Sequence, residues 1–263
     1  MRELTMNILE NFNGISANRP WLRKVINNIL CLSILQPFFA SLAVSAGIKL
    51  QQEAKRCDSI RDYVNLAFSF TNSFLLSIAP YQVKKEIAEL IEILAKRKPI
   101  FVLEIGTSRG GTLFLLTRIS SPDAVIISID LPQGEFGGVF YPDWKTPFYK
   151  SFAINHQRIH LIREDSHASS TVDLVKRVLD GHELDFLFID GDHTYEGVKL
   201  DFRSYSSLVN KGGLIAFHDI CSGPPELVGE VDRFWNKIKL AYNYKEIIGN
   251  PDQKGFGIGI LST

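Results

Sequence analysis

Two aspartates and a histidine fall within four residues in the stretch FIDGDHTYEG, Phe188 to Gly197. They follow an apolar run, at the point where a strand would end. Carboxylates bind cations and an imidazole titrates near neutrality, so Asp190, Asp192 and His193 can cap a helix, hold a metal or move a proton. A second set closes the apolar run of GGLIAFHD, where His218 stands beside Asp219. Asp190, His218 and Asp219 together make a candidate divalent-cation site. His193, with Asp190 beside it, is the candidate catalytic base. Carboxylates favour Mg²⁺, and a histidine ligand shifts the preference toward Mn²⁺ or another transition ion. Asp192 reads as the amino-terminal cap of the next helix.

These residues need a scaffold, and the chain from Ile100 onward supplies its pattern. IFVLEI, AVIISID, RIHLIRED, DFLFID and GGLIAFHD read as successive strands separated by helical stretches, and YKEIIG and GFGIGIL close the chain as two more. Strands alternating with helices predict an α/β, Rossmann-like, doubly wound and mostly parallel seven-stranded sheet. Ligands in such sheets sit beyond the carboxyl ends of the strands. The first strand ends in Glu104-Ile-Gly106-Thr107-Ser108-Arg-Gly110, whose glycines permit a sharp turn and a close approach to a ligand. The G-x-x-x-G spacing is neither the dinucleotide fingerprint nor a phosphate loop. Asp130 ends the second strand, 24 residues after Gly106, where a carboxylate can accept both hydroxyls of a ribose. Asp165 and Ser166 end the third, where an acidic side chain can meet an adenine amino group. A helix cap or turn is the alternative at each position taken singly.

VLEIGTSRGG, SID, REDSH and LDFLFIDGDHTYEGV together resemble the successive motifs of class I S-adenosylmethionine-dependent methyltransferases, from about Glu86 to the carboxyl terminus. FIDGDHTYEGVKLDF, GGLIAFHD and LPQGEFGGVFYPDW are most similar to the branch of cephalosporin-hydroxylase-like proteins and macrolide or rhamnosyl sugar O-methyltransferases. The resemblance implies an S-adenosylmethionine cofactor whose methionine end meets Glu104, Gly106, Thr107, Ser108 and Gly110. Its ribose would meet Asp130, and its adenine Asp165 and Ser166. It also implies a base three residues after the first aspartate, which His193 matches, and an acidic pair on the next strand. Asp219 matches one member of that pair, and His218 replaces the other. The acceptor implied is a hydroxyl of a sugar, glycoside or glycolipid. Two alternatives stand beside this: a metal-independent small-molecule methyltransferase, and a cofactor-binding partner of another enzyme without turnover of its own.

Twenty-nine basic residues balance 29 acidic ones without a basic stripe, which makes nucleic acid a poor partner. Three scattered cysteines, Cys31, Cys57 and Cys221, point to a reducing, cytoplasmic compartment rather than a disulfide framework. The expected division is a helical extension over residues 1–79 and a methyltransferase domain over 80–263. Between Lys24 and Lys49 lie 24 uncharged residues, VINNILCLSILQPFFASLAVSAGI. Residues 25–48 therefore read as a membrane-associated segment, a signal peptide, or two short helices split at Pro37 that pack on the domain or cover its mouth. Homo-oligomerisation is compatible with this composition. An amphipathic helix runs from Pro80 to Lys98, with Glu86 among the polar residues between its apolar positions. The segment Leu131 to Tyr149 holds six aromatic residues and reads as a substrate-side loop, or else as a flap over the core.

Overall fold

The computed structural model describes residues 33–72, 76–133, 139–224 and 228–263. Seven strands form one sheet: β1 (Phe101–Ile105), β2 (Val125–Ile129), β3 (Arg158–Ile162), β4 (Leu184–Ile189), β5 (Val209–His218), β6 (Asn243–Ile247) and β7 (Ile258–Ser262). Their order is β3-β2-β1-β4-β5-β7-β6, and β7 alone runs opposite to the other six strands. The doubly wound, mostly parallel sheet expected from the alternation is the observed fold. β2 is buried at every residue, as an uninterrupted VIISI run requires when both faces are covered.

Two apolar layers follow from the strand period of two. Val102, Ile126, Phe186, Phe188 and Ala216 face one layer. Helices α1 (Gln36–Ala54), α2 (Ile60–Ser69), α3 (Lys84–Arg97) and α4 (Gly111–Ile119) cover that face. Leu103, Ile105, Ile127 and Phe217 face the other, under α6 (Ser169–Leu179), α7 (Tyr195–Tyr205) and α8 (Val231–Ile238). A short α5 (Thr146–Lys150) lies between β2 and β3 on the first face. α2 starts in a reciprocal cap, Ser59 with Asp62, the kind of device that stabilises a helix by about 1 kcal/mol.

Several sequence expectations are corrected here. Pro37 does not split two helices: it sits in the first turn of α1, where its missing N–H costs nothing. Phe39, Ala43, Ala46 and Leu50 of α1 are buried against the domain, and Phe39 stacks on Trp144 at 5.3 Å. Residues 25–32 of the uncharged segment lie outside the described residues. Among the described residues no helix is long and apolar enough to cross a membrane. The aromatic loop is largely core. Phe140, Tyr141, Trp144, Phe148 and Tyr149 are buried, and the last four pack with Phe152 against α1 and α4. Phe136 lies outside the described residues. The helix read from Pro80 starts only at Lys84, and Pro80 to Val83 run outside it.

Glu86 is buried in α3 rather than solvated. Its carboxylate accepts from the Gly249 N–H (2.8 Å), Gln253 Nε2 (2.7 Å) and the Gly257 N–H (2.9 Å). α3 thereby holds the β6–β7 connection against the sheet edge.

Candidate active site

A cavity of about 540 Å³ opens beyond the carboxyl ends of β1 to β5. Its floor is the Gly-rich turn after β1. Gly106 has φ +98, and a Cβ there would lie 2.0 Å from the Asp190 carbonyl oxygen, so only glycine fits. Gly106→Ala should therefore lower stability by about 1–3 kcal/mol and displace the Asp190 backbone. Thermal melting checks this, and an unshifted melting curve would contradict it.

Gly106, Thr107 and Ser108 reach the cavity wall, whereas Glu104 and Gly110 stand behind it. Glu104 is fully buried at the end of β1. Ser128 Oγ donates to its Oε2 at 2.5 Å, and Thr107 Oγ1 lies 2.6 Å from Ser128 Oγ. Burial pushes the Glu104 carboxyl up to about 8 against the Ser128 hydrogen bond, so it is protonated at neutral pH. Gly110 is the positive-φ amino-terminal cap of α4, packed against the Tyr149 ring.

Asp130 lines the cavity at the end of β2. Its oxygens accept from the Ser108 N–H at 2.6 Å and the Leu131 N–H at 2.8 Å. Burial raises the group to about 6, and those two hydrogen bonds oppose the rise. Each oxygen thereby uses one of its two lone pairs. Asp165 and Ser166, after β3, line the next part of the wall.

The polar groups that follow β4 and β5 meet beside the Gly106 turn. His193 Nε2 lies 3.5 Å from Asp190 Oδ1, and its Nδ1 lies 3.0 Å from Asp219 Oδ2. His218 Nδ1 lies 3.1 Å from Asp190 Oδ1 and 3.4 Å from Asp219 Oδ2. Two carboxylates thus interleave with two imidazoles. Burial alone would lower both histidines, but the paired carboxylates outweigh it and raise each to about 10. The same contacts hold Asp190 and Asp219 below the usual carboxylate range, again against burial. Without a further cation, His193 is therefore an imidazolium.

Ligand atoms of Asp190, His193 and Asp219 all lie within 4.8 Å of one another, a spacing that suits one metal ion. His218, named as a ligand from the sequence, faces both carboxylates with Nδ1. Its buried Nε2 has no hydrogen-bond partner. Asp219 adopts φ +60, an uncommon conformation for a non-glycine residue and one that concentrates at functional sites. Its Oδ1 accepts from the Phe256 N–H at 3.1 Å, which ties it to the segment anchored by Glu86.

Asp192 does not cap α7. Thr194 does, accepting from the Gly197 N–H at 3.0 Å, while Asp192 Oδ1 takes the Thr194 N–H at 2.9 Å and lines the cavity.

Sequence reasoning missed several contributors. Gln82 Nε2 donates to Asp190 Oδ2 at 3.0 Å. Tyr81 lies under the Arg109 guanidinium at 4.3 Å, and Arg109 donates to its hydroxyl. Phe256 flanks His218, ring to ring at 6.0 Å. Gly229 presses on the His193 carbonyl, leaving a Cβ no room at 2.1 Å. None carries a motif. The only signal was position, since Tyr81 and Gln82 immediately precede a helix that packs beside the Gly-rich turn.

Residues 103–220 match the family model described as a methyltransferase domain. A 117-residue stretch is 35% identical to the uncharacterized protein R132 of Acanthamoeba polyphaga mimivirus, covering 44% of this chain and 50% of that protein. The chain thus spans about half the length of the curated relative it matches. Among solved structures, an O-methyltransferase from Bacillus cereus in complex with SAH aligns with TM-score 0.53 and 16% identity, over 79% of this chain and 92% of the other. The O-methyltransferase TomG from Streptomyces achromogenes, involved in tomaymycin synthesis and solved with SAM, aligns with TM-score 0.51 and 16% identity over 79% and 91%. At that identity the likeness is one of fold.

Proposed function

We propose that this chain, which carries a class I S-adenosylmethionine-dependent methyltransferase domain, transfers a methyl group to a hydroxyl of a sugar or other polyhydroxylated acceptor. One observation carries the reading: Asp190, His193 and Asp219 converge at adjacent strand ends, inside the cavity that the Gly106 turn, Asp130 and Asp165-Ser166 also line. Those two O-methyltransferases were solved with SAM and SAH, and this chain's residues suit the same group. Asp130, with one lone pair on each oxygen unused by its two backbone hydrogen bonds, would take the ribose hydroxyls, and Asp165 and Ser166 would border the adenine. When bound, S-adenosylmethionine supplies the methyl electrophile.

The chain's own task is to place an acceptor oxygen in line and to receive its proton. His193 is the group for the second step. A cation would be held by Asp190 and Asp219 with His218 or His193 as the imidazole ligand, and would lower the pKa of the acceptor hydroxyl; His193 is the base where His218 is the ligand. The ring faces of Tyr81 and Phe256, partly exposed at the cavity, suit stacking on a sugar. Exposed Ile34, Phe38, Val44 and Ile48 on and before α1 offer an apolar strip for an acceptor's lipid tail. One observation favours a metal-independent version: His218 already sits between the two carboxylates, where its imidazolium serves as an internal cation.

Labelled methyl transfer to a glycoside panel, run with and without EDTA, tests the reading. The expected result is transfer that EDTA abolishes and Mg²⁺ or Mn²⁺ restores. Transfer that persists in EDTA removes the cation and leaves the histidines alone. Cofactor binding without transfer to any acceptor would favour a non-catalytic partner protein.

A further inference from the structure

His167 follows the Asp165-Ser166 pair and has no partner recognisable in the sequence. In the fold its ring lies between two carboxylates. Nε2 is 3.4 Å from Asp201 Oδ1, and Nδ1 is 3.8 Å from Asp165 Oδ1. Asp201 projects from α7 and is fully buried, and neither of its oxygens has a hydrogen-bond partner among the described residues. Gly191 lies beside it, at a distance where a Cβ would make ordinary contact with Asp201 Oδ2 at 3.6 Å. One turn further along α7, the Tyr205 hydroxyl donates to the Ser166 carbonyl at 2.7 Å. α7 therefore grips the turn after β3 at two points, Asp201 on His167 and Tyr205 on Ser166. His167 itself lines the cavity beside Asp165 and Ser166.

A buried carboxylate without donors is strongly disfavoured, so Asp201 needs a cationic partner, and His167 is the one in place. The carboxylates approach opposite ring nitrogens. That geometry suits an imidazole carrying both protons rather than a cation shared by all three residues. The groups facing His167 are Asp201 from α7, Asp165 from its own turn and Asp192 from the loop after β4, all of one sign. The close Asp201 carboxylate holds His167 above the ordinary imidazole value, against burial, and Asp165 and Asp192 act in the same direction.

We propose that His167 is a positioning residue for the cofactor: as an imidazolium held between Asp201 and Asp165, it fixes the 164–167 turn at the adenine end of the cavity. Loss of its proton leaves Asp201 buried and unpaired, loosens the turn and weakens nucleoside binding. The inference rests on the reading of Asp165 and Ser166 as the adenine border.

The test is S-adenosylhomocysteine binding to the full chain by calorimetry, from about pH 5.5 to about pH 9.5, across the ordinary imidazole value of about 6.5. Affinity should fall about tenfold as pH rises through the raised His167 value, within the usual range of site-to-site coupling. His167→Gln should bind weakly with a flat profile. Asp201→Asn should move the transition toward lower pH. A wild-type titration of labelled histidine, followed by NMR, covers the case of a variant that fails to fold. By reciprocity, S-adenosylhomocysteine must raise the His167 pKa. An unmoved His167 pKa, or a wild-type pH profile retained in His167→Gln, overturns the proposal. Absence of binding by the wild type at every pH would overturn the cofactor reading, and this inference with it.

Discussion

His193→Ala should lower the rate of methyl transfer by about 10²- to 10⁴-fold while leaving S-adenosylhomocysteine affinity nearly unchanged. The ring spans Asp190 and Asp219 at 3.5 and 3.0 Å, beyond the ends of β4 and β5, away from Asp130 and Asp165-Ser166 at the ends of β2 and β3. It is therefore placed to receive a proton, not to carry the cofactor. The loss should fall on kcat, because a proton acceptor matters in the transition state more than in the ground state. The pH profile adds a second readout. With no other cation present, His193 is raised to about 10, so only a small neutral fraction exists at pH 7. In the metal-independent case, where transfer persists in EDTA, the rate should keep rising with pH to about 10 instead of levelling near the ordinary imidazole value of about 6.5. A cation on the two carboxylates would draw that rise to lower pH by cancelling their pull on the imidazole. For stability the sign runs the other way. The folded value lies above the unfolded one, so the contribution of His193 is complete below about pH 6.5 and is lost as pH rises through about 10. Activity near wild type in His193→Ala would eliminate this residue as the base.

Glu86→Ala should be the most destabilising single change outside the cavity, at about 3 kcal/mol or more. Three donors converge on this buried carboxylate within 2.9 Å, two of them backbone N–H groups that would have no other acceptor. Truncation leaves those donors buried and unpaired, which costs more than the bonds themselves contribute. A melting temperature lower by about 10 °C is expected for a chain of this size. The effect should extend to the site. The released segment carries the Phe256 N–H that holds Asp219 Oδ1, so the Asp219 carboxylate loses its orientation. Glu86→Gln keeps an acceptor for some of the donors and should recover part of the loss. A melting point within about 1 °C of wild type would remove Glu86 from this role.

The strands were legible because parallel strands covered on both faces read as unbroken apolar runs, as in VIISI and FVLEI. Their ends were legible too, since polar residues cannot continue into such a layer. That is why Gly106, Asp130, Asp165, Asp190 and Asp219 stood out before any contact was known. The helix ends were less legible. Asp192 and Thr194 both suit a cap, and the choice of Thr194 depends on a backbone path that composition does not encode. The aromatic residues around Trp144 were ambiguous for another reason. The same rings serve a sugar face or a core, and the packing of α1 against them decided for the core.

By itself, then, the sequence determined the layers, the strand ends and the set of polar residues delivered to them, because hydrophobic periodicity and turn chemistry are local properties. The tertiary structure alone decided how those residues pair. Gln82 reaches Asp190 across 108 positions, Glu86 reaches Gly257 across 171, and Asp201 meets His167 from a different element. Such contacts depend on which face of a helix the fold turns inward, and burial then sets their charge. The same carboxylate is a solvated surface group on one face of α3 or α7, and on the other a buried anion that must find its donors.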